Sequence, residues 1–385
     1  MLFSPMDLIG FLIFILLIFM LPWFLRVRAV SSINRFTFEL EEMVEQTKKS
    51  LIKICNEKGM PDRDPSKSIE NFLEFFVVTP VDLDPNGIMR KYEKIINLGE
   101  KRFRHMAQVI APKADGEWKS NIVMTIKAVL SINGVAKMVR HNLELAKKTG
   151  NIQILLMLQM NLPMIMRIVK AQYEGSIAFS EGKPVGDGLG PLVAGELMKD
   201  SSRDDLHSVD DMVVSEIQIN KRNVIVARAE GPGARLGKVG KVVTSIINEK
   251  NIKRVITVDA SAKLEGEKTG TVAEGIGVVI GGPGVDKWMI EEELLKEDLE
   301  VDAIIVKMSP EEAISPMTED ILKSSEKAVS VVKNAILESE EGSDVLVVGV
   351  GNSCGIPNIV EDLSMIKTKK PIKNEKKRAI NGHFK

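Results

Sequence analysis

The apolar and polar positions of this chain change register three times, and each change marks a different kind of element. From Leu8 to Leu25 no charged side chain occurs. Eighteen helical residues rise roughly 27 Å, close to the ~30 Å hydrocarbon thickness of a bilayer. Asp7 precedes the run, Arg26, Arg28 and Arg35 follow it, and Trp23 falls at interface depth. A cleaved signal peptide places basic residues before its apolar run and a small-x-small site after it. The order here is that of a retained helix, with the N-terminus outside and everything after Arg26 in the cytoplasm. The expectation is a single-pass cell-membrane anchor over residues 1–28, in contact with the bilayer through residues 8–25.

A helical period then takes over. Phe36, Leu40, Met43 and Val44 share one face, with Glu41, Glu42, Lys48 and Lys49 opposite. Pro61-Asp62-Arg63-Asp64-Pro65 breaks that helix. Further helices are predicted over Asp84–Val109, Gly116–Lys148 and Ile152–Phe179, the last interrupted at Pro163. Residues 29–180 are therefore expected to form a helical domain. Met157, Met160, Met164 and Met166 are read either as an adaptable helix core or as a pliable docking surface.

After about Glu181 the period switches to alternating strands and helices. Strands are predicted at Met212–Ile219, Asn223–Ala229, Val255–Val258, Gly277–Ile280, Ala303–Val306 and Val345–Val350. Helices are predicted at Leu189–Lys199, Ala234–Lys250, Lys287–Lys296 and Glu311–Leu337. This alternation implies an α/β domain over residues 181–362: a mostly parallel, doubly wound sheet, with a mixed edge where Asn220-Lys221-Arg222 joins two strands as a hairpin. Residues 363–385 form a basic tail, with eight Lys/Arg against one Glu from Lys367 onward. It reads as disordered, or as a contact for anionic lipid headgroups or nucleic acid.

Composition narrows this little. The 385 residues carry a formal charge of −1, with 27% charged side chains, so bulk electrostatics select no partner. Cys55 and Cys354 match no metal spacing, and no cofactor motif stands out.

Candidate chemistry sits where strands end, because ligands of open α/β sheets bind at the carboxyl ends of strands. Gly186-Asp187-Gly188-Leu189-Gly190-Pro191 reads as a tight loop entering a helix, with a carboxylate at its mouth. Val345–Val350 runs into Gly351 and Asn352, and Val255–Val258 into Asp259. Asp187 and Asp259 on one crest would repel, raise one pKa and share a proton, which suits acid–base chemistry. Alternatively, Asp259 caps a helix and Asp187 fixes a turn. Gly188, Gly190, Gly282, Gly284, Gly351 and Asn352 are candidates for holding a substrate backbone. Gly233 and Arg235, in Gly231-Pro232-Gly233-Ala234-Arg235, form either a weak anion site or a plain turn. Cys354 is a nucleophile or simply a small crest residue.

Ala227-Arg228-Ala229-Glu230-Gly231-Pro232-Gly233, Val258-Asp259-Ala260-Ser261-Ala262, Lys268-Thr269-Gly270-Thr271 and Gly281-Gly282-Pro283-Gly284-Val285 together resemble the spore germination protease family. Gly186-Asp187-Gly188-Leu189-Gly190-Pro191-Leu192-Val193 resembles a segment of that family and of the hydrogenase maturation endopeptidases. In both, a Gly-x-Gly-Asn strand precedes that segment; here Gly349-Val350-Gly351-Asn352 comes last, the order of a circular permutation. The resemblance implies a phosphorylase/hydrolase-like fold, catalytic roles for Asp187 and Asp259, and a protein or peptide substrate. The maturation enzymes also need a His ligand. His207 alone lies in this domain, in an Asp- and Ser-rich loop, so no metal is expected. The whole chain also resembles an archaeal membrane-protein family described only as a domain of unknown function. A non-catalytic assembly module or an anion binder on the same fold is the alternative.

Overall fold

The apolar run and the first amphipathic helix are one element. In this computed structural model, which describes residues 5–80, 87–282 and 284–369, helix α1 runs unbroken over Pro5–Ile54, 50 residues. The boundary expected at residues 28 and 29 thus falls inside a continuous helix. Before it, Phe11, Phe14, Leu16, Leu21, Trp23 and Phe24 are exposed; after it, Ala29, Ile33, Leu40, Met43 and Val44 are buried. Among the described side chains, the apolar stripe becomes buried only past Arg26.

Those partners are two long helices. α1 ends in a π turn, Cys55–Gly59, with Met60 left-handed. A Cβ at Gly59 would lie 2.4 Å from the Ala111 Cα, so glycine permits that crossing. α2 (Ser66–Phe72), α3 (Ile88–Ile110), α4 (Gly116–Thr149) and α5 (Ile152–Glu181) follow. Residues 84–86, where α3 was expected to start, lie outside the described residues. Asp115 caps α4 by accepting from the Trp118 N–H, and Asn151 caps α5 by accepting from Gln153. Gly150 and Gly182 close the two helices in the left-handed conformation.

Pro163 does not interrupt α5. Proline removes one backbone hydrogen bond, but Leu155, Leu162, Met166 and Val169 on either side are buried with α1 and α4 residues in one core. The methionines divide: Met166 is buried, while Met157, Met160 and Met164 are exposed. α4 and α5 are long and apolar enough to cross a membrane. Core helices satisfy the same two criteria, and both helices contribute to the bundle core with α1.

The second half is a seven-stranded mixed sheet in the order β1-β2-β3-β7-β4-β6-β5. The strands are β1 (His207–Val209), β2 (Met212–Ile219), β3 (Arg222–Ala229), β4 (Ile252–Ala262), β5 (Thr271–Ile276), β6 (Glu300–Met308) and β7 (Asp344–Gly349). β3, β7, β4 and β6 are parallel, and both edges are antiparallel. Asn220 and Lys221, at φ 46° and 65°, make the tight turn between β2 and β3.

The helices are α6 (Leu189–Leu197), α7 (Val239–Glu249), α8 (Val285–Glu297), α9 (Pro310–Ile314) and α10 (Glu319–Leu337). Side chains alternate across the strands. Val224, Val226, Ile256, Val258, Val345 and Val347 share a core with α6 and α10, whereas Ile225, Ala227, Val255, Leu346 and Val348 face α7 and α8. The crossover β3–α7–β4 runs one way along the sheet and β6–α10–β7 returns on the other face, as uniform crossover handedness requires, while between β4 and β6 the chain first forms edge strand β5 and then α8.

Three predicted elements shift. The strand expected at Gly277–Ile280 forms earlier, at Thr271–Ile276, because Gly277 at φ 117° ends it. The single helix expected over Glu311–Leu337 is split at Ser315-Pro316-Met317-Thr318, where Val185 bridges Pro316. The tail does not begin as free chain at 363: Ile366 is buried, the Lys369 N–H donates to the Met317 carbonyl, and its ammonium pairs with Glu174 of α5. Residues 370–385 lie outside the described residues.

Candidate active site at the strand crest

The loop before α6 lies directly on the ends of β7 and β4. A Cβ at Gly190 would stand 2.1 Å from the Val350 carbonyl oxygen and 2.5 Å from that of Val258, and one at Gly351 would stand 1.9 Å from the Asp187 carbonyl oxygen. Glycine at these two positions is a packing requirement of the crest. The Val350 N–H donates to the Val258 carbonyl, extending the β4–β7 seam to the site.

This packing brings the two aspartates together. The Asp187 carboxylate accepts from the Asn352 N–H at 3.1 Å. Asp259 accepts from the Ala260 N–H at 2.7 Å and the Gly281 N–H at 2.9 Å. Asp187 retains partial exposure as a residue, yet desolvation of its carboxylate raises its pKa to about 6, opposed only in part by the Asn352 N–H. Asp259 is 3% exposed. Burial first, and then the negative charge of Asp187, push it up to about 8 against its two N–H donors. Near neutral pH the pair therefore carries one proton, held mainly by Asp259.

The other candidates sort by position. Asn352 is buried: its Oδ1 accepts from the Cys354 N–H, and its Nδ2 has no hydrogen-bond partner. Gly188 packs against Ile356 and the Asn352 carbonyl. Gly282 and Gly284 are left-handed at φ 97° and 82° with open space around them, on the loop whose Gly281 N–H reaches Asp259. Cys354 is fully buried and its thiol is pushed up to about 12, chiefly by burial, which keeps it protonated rather than nucleophilic. His207 is exposed on edge strand β1, with β2 and β3 between it and β7. Among the described residues no three His, Cys, Asp or Glu side chains converge as a metal site.

The anion site expected at Gly233 and Arg235 is filled by the chain itself. Both terminal nitrogens of Arg235 donate to the Glu117 carboxylate from α4, at 2.9–3.1 Å. A Cβ at Gly233 would meet the same carboxylate at 2.4 Å. Asp211 and Glu230 add further negative charge around Arg235. Beside this contact, Asn121 accepts from the Ala234 N–H at 2.8 Å.

Sequence reasoning missed Arg228. It is fully buried on β3 without a carboxylate partner, donating to the carbonyls of Ala229, Ile356 and Pro357. Burial lowers its pKa to about 9, still cationic at neutral pH. The signal was present: a lone charge in the apolar run Val224-Ile225-Val226-Ala227-Arg228-Ala229. Arg228 ties the loop after Asn352 to the end of β3. A cavity of about 350 Å³ lies near the opposite end of α6, lined by Glu196, Lys199, Lys333 and Asp362, and none of the crest aspartates faces it.

Two consecutive stretches of the chain match one family. Residues 7–182 match the N-terminal domain of a protein family of unknown function, DUF1512, and residues 185–357 match its C-terminal domain. Together they account for nearly the whole sequence, and the chain belongs to this family. No curated protein and no solved structure matches it.

Proposed function

We propose that the α/β domain is an aspartate-dependent hydrolase of peptidase type, tethered to a membrane by the first part of α1. One observation carries the reading: the Asp187 and Asp259 carboxylates are both withdrawn from water on one crest, each held by backbone N–H groups and near enough that the charge of Asp187 raises the pKa of Asp259. Ionised Asp187 would accept a proton from an attacking water, and protonated Asp259 would give one to the leaving group. The backbone N–H groups of Asn352 and Gly281 keep each carboxylate oriented. The open Gly282–Gly284 edge is the part of the crest where a substrate backbone would approach.

The family match does not name an activity, so the test is direct. Wild type, Asp187→Asn and Asp259→Asn are compared on a peptide library, with circular dichroism as the control for folding. Loss of cleavage in both folded variants supports the proposal. Cleavage retained in both, or absent from wild type across the library, sinks it and leaves a binding module on the same fold. The tether reading rests on the exposed apolar side chains of α1 before Arg26. It is tested by flotation of the full chain with lipid vesicles.

A further inference from the structure

The turn between α4 and α5 lies level with the end of the apolar part of α1. The Arg26 guanidinium donates to the Lys147 carbonyl at 3.2 Å, and it stands 3.6 Å from where a Gly150 Cβ would be. Arg26 is the first charged residue after the apolar run. α5 packs along α1 from this point, as the Lys170–Glu39 ion pair shows further down. The turn is thus fixed at the height where the proposed membrane segment ends.

What the turn presents is amphipathic. Arg28 and Lys148 are exposed, and Lys147 and Arg26 are partly so. Glu144, paired with Lys147, is the acidic group among them. Beside these cations Ile152 and Leu156 are exposed at 39% and 51%. They lie roughly 3 and 9 Å along α5 from Gly150. The headgroup layer on each side of the hydrocarbon is about 5–8 Å deep. Ile152 falls within that depth and Leu156 at its lower edge, while Thr149, Gly150, Asn151 and Gln153 add no charge.

We infer that the α4–α5 turn is a second membrane contact, seated on an anionic lipid surface, with Arg28, Lys147 and Lys148 against headgroups, Ile152 lodged among them and Leu156 at their water-facing edge. The inference rests on the tether proposed above. Anionic headgroups match the local cationic excess, and apolar side chains at interface depth account for exposure that a water-facing turn would not favour. The contact would fix the tilt of the bundle, since a single helix leaves its soluble domain free to rock.

The test uses the full chain reconstituted in vesicles of phosphatidylcholine with and without one quarter phosphatidylserine. An environment-sensitive fluorophore is attached at Gln153→Cys, or at Glu341→Cys in the far turn before β7. The native Cys55 and Cys354 are both buried and should not label. Headgroup-level spin-labelled lipid should quench the Gln153 probe several-fold more than the Glu341 probe. Lys147→Glu with Lys148→Glu should erase most of that difference in the phosphatidylserine vesicles. Equal quenching of the two probes on protein that still floats with vesicles overturns the turn contact and spares the tether. Failure of the full chain to float removes the tether, and this contact with it.

Discussion

Replacing Asp259 with asparagine should change how stability depends on pH in a window set by its environment. Its carboxyl is raised from 3.8 to about 8 in the folded chain. The folded state therefore holds a proton that the unfolded state releases above pH 4. Each pH unit in which the two states differ by one proton lowers unfolding free energy by about 1.4 kcal/mol. The stability from this group is fully present below pH 4 and is lost as pH rises towards 8. Between pH 6 and 8, as its own folded-state ionisation sets in, Asp259 removes about 2 kcal/mol, and Asp187, half ionised at pH 6, adds under about 0.5 kcal/mol. Asparagine mimics the protonated acid but offers one acceptor to two N–H donors, so a pH-independent loss of about 1–3 kcal/mol is expected as well. The slope, rather than the absolute value, is thus diagnostic. The assay is urea unfolding of wild type and Asp259→Asn in matched detergent from pH 5 to 9. The difference curve cancels other shifted carboxyls such as Asp286 and Asp302. Parallel profiles from pH 6 to 8 would refute the reasoning, since they would mean that Asp259 ionises as easily folded as unfolded. Asp187→Asn supplies the second arm: removing the neighbouring charge should move the bend of the curve below pH 8.

If the pair hydrolyses substrate, turnover should rise as Asp187 ionises near pH 6 and fall as Asp259 ionises near pH 8; a rate flat from pH 5 to 9 would contradict the assigned roles. Glu117→Ala should vacate the Arg235 cradle, so that sulfate at ten times its Kd stabilises the variant by about 1.4 kcal/mol in a thermal-shift assay and leaves wild type unmoved. Arg228→Met should cost about 3 kcal/mol or more in chemical unfolding, because three crest carbonyls lose their charged donor; a change under about 0.5 kcal/mol would show that water replaces it. Gly190→Ala places a methyl 2.1 Å from a carbonyl oxygen, and should prevent recovery of folded protein as judged by circular dichroism, whereas Gly266→Ala, in open space but at φ 91°, should cost on the order of 1–2 kcal/mol of backbone strain and still fold.

The crest was legible in the sequence because its determinants are local. The apolar run before Gly351-Asn352, the run into Asp259 (although β4 continues past it to Ala262), and glycines where backbone crosses backbone each announce themselves within a few residues. Contacts between distant residues did not. The Glu117–Arg235 pair joins positions more than a hundred residues apart, and an arginine beside Gly-Pro-Gly looks the same whether its anion is a ligand or a glutamate from another helix. Pro163 misled for a related reason: propensity reads the lost hydrogen bond, while the burial that sustains α5 belongs to α1 and α4. β5 was displaced because Gly277 and the apolar Val278-Val279-Ile280 imitate a strand. In the fold that run instead passes along β4, where the Val279 N–H meets the Thr257 hydroxyl and the Gly281 N–H meets Asp259.

The joined length of α1 and α4 makes the molecule a measuring rod. The stretch of α4 from Glu117 to Thr149 is roughly 48 Å long; its far end grips the crest through Glu117 and Asn121, and its near end is pinned at Arg26. On the proposed tether, the aspartates work at a set standoff from the bilayer. Shortening α4 by whole turns would lower that height without touching the crest, and would alter which substrates can be reached when those substrates are themselves held at the membrane.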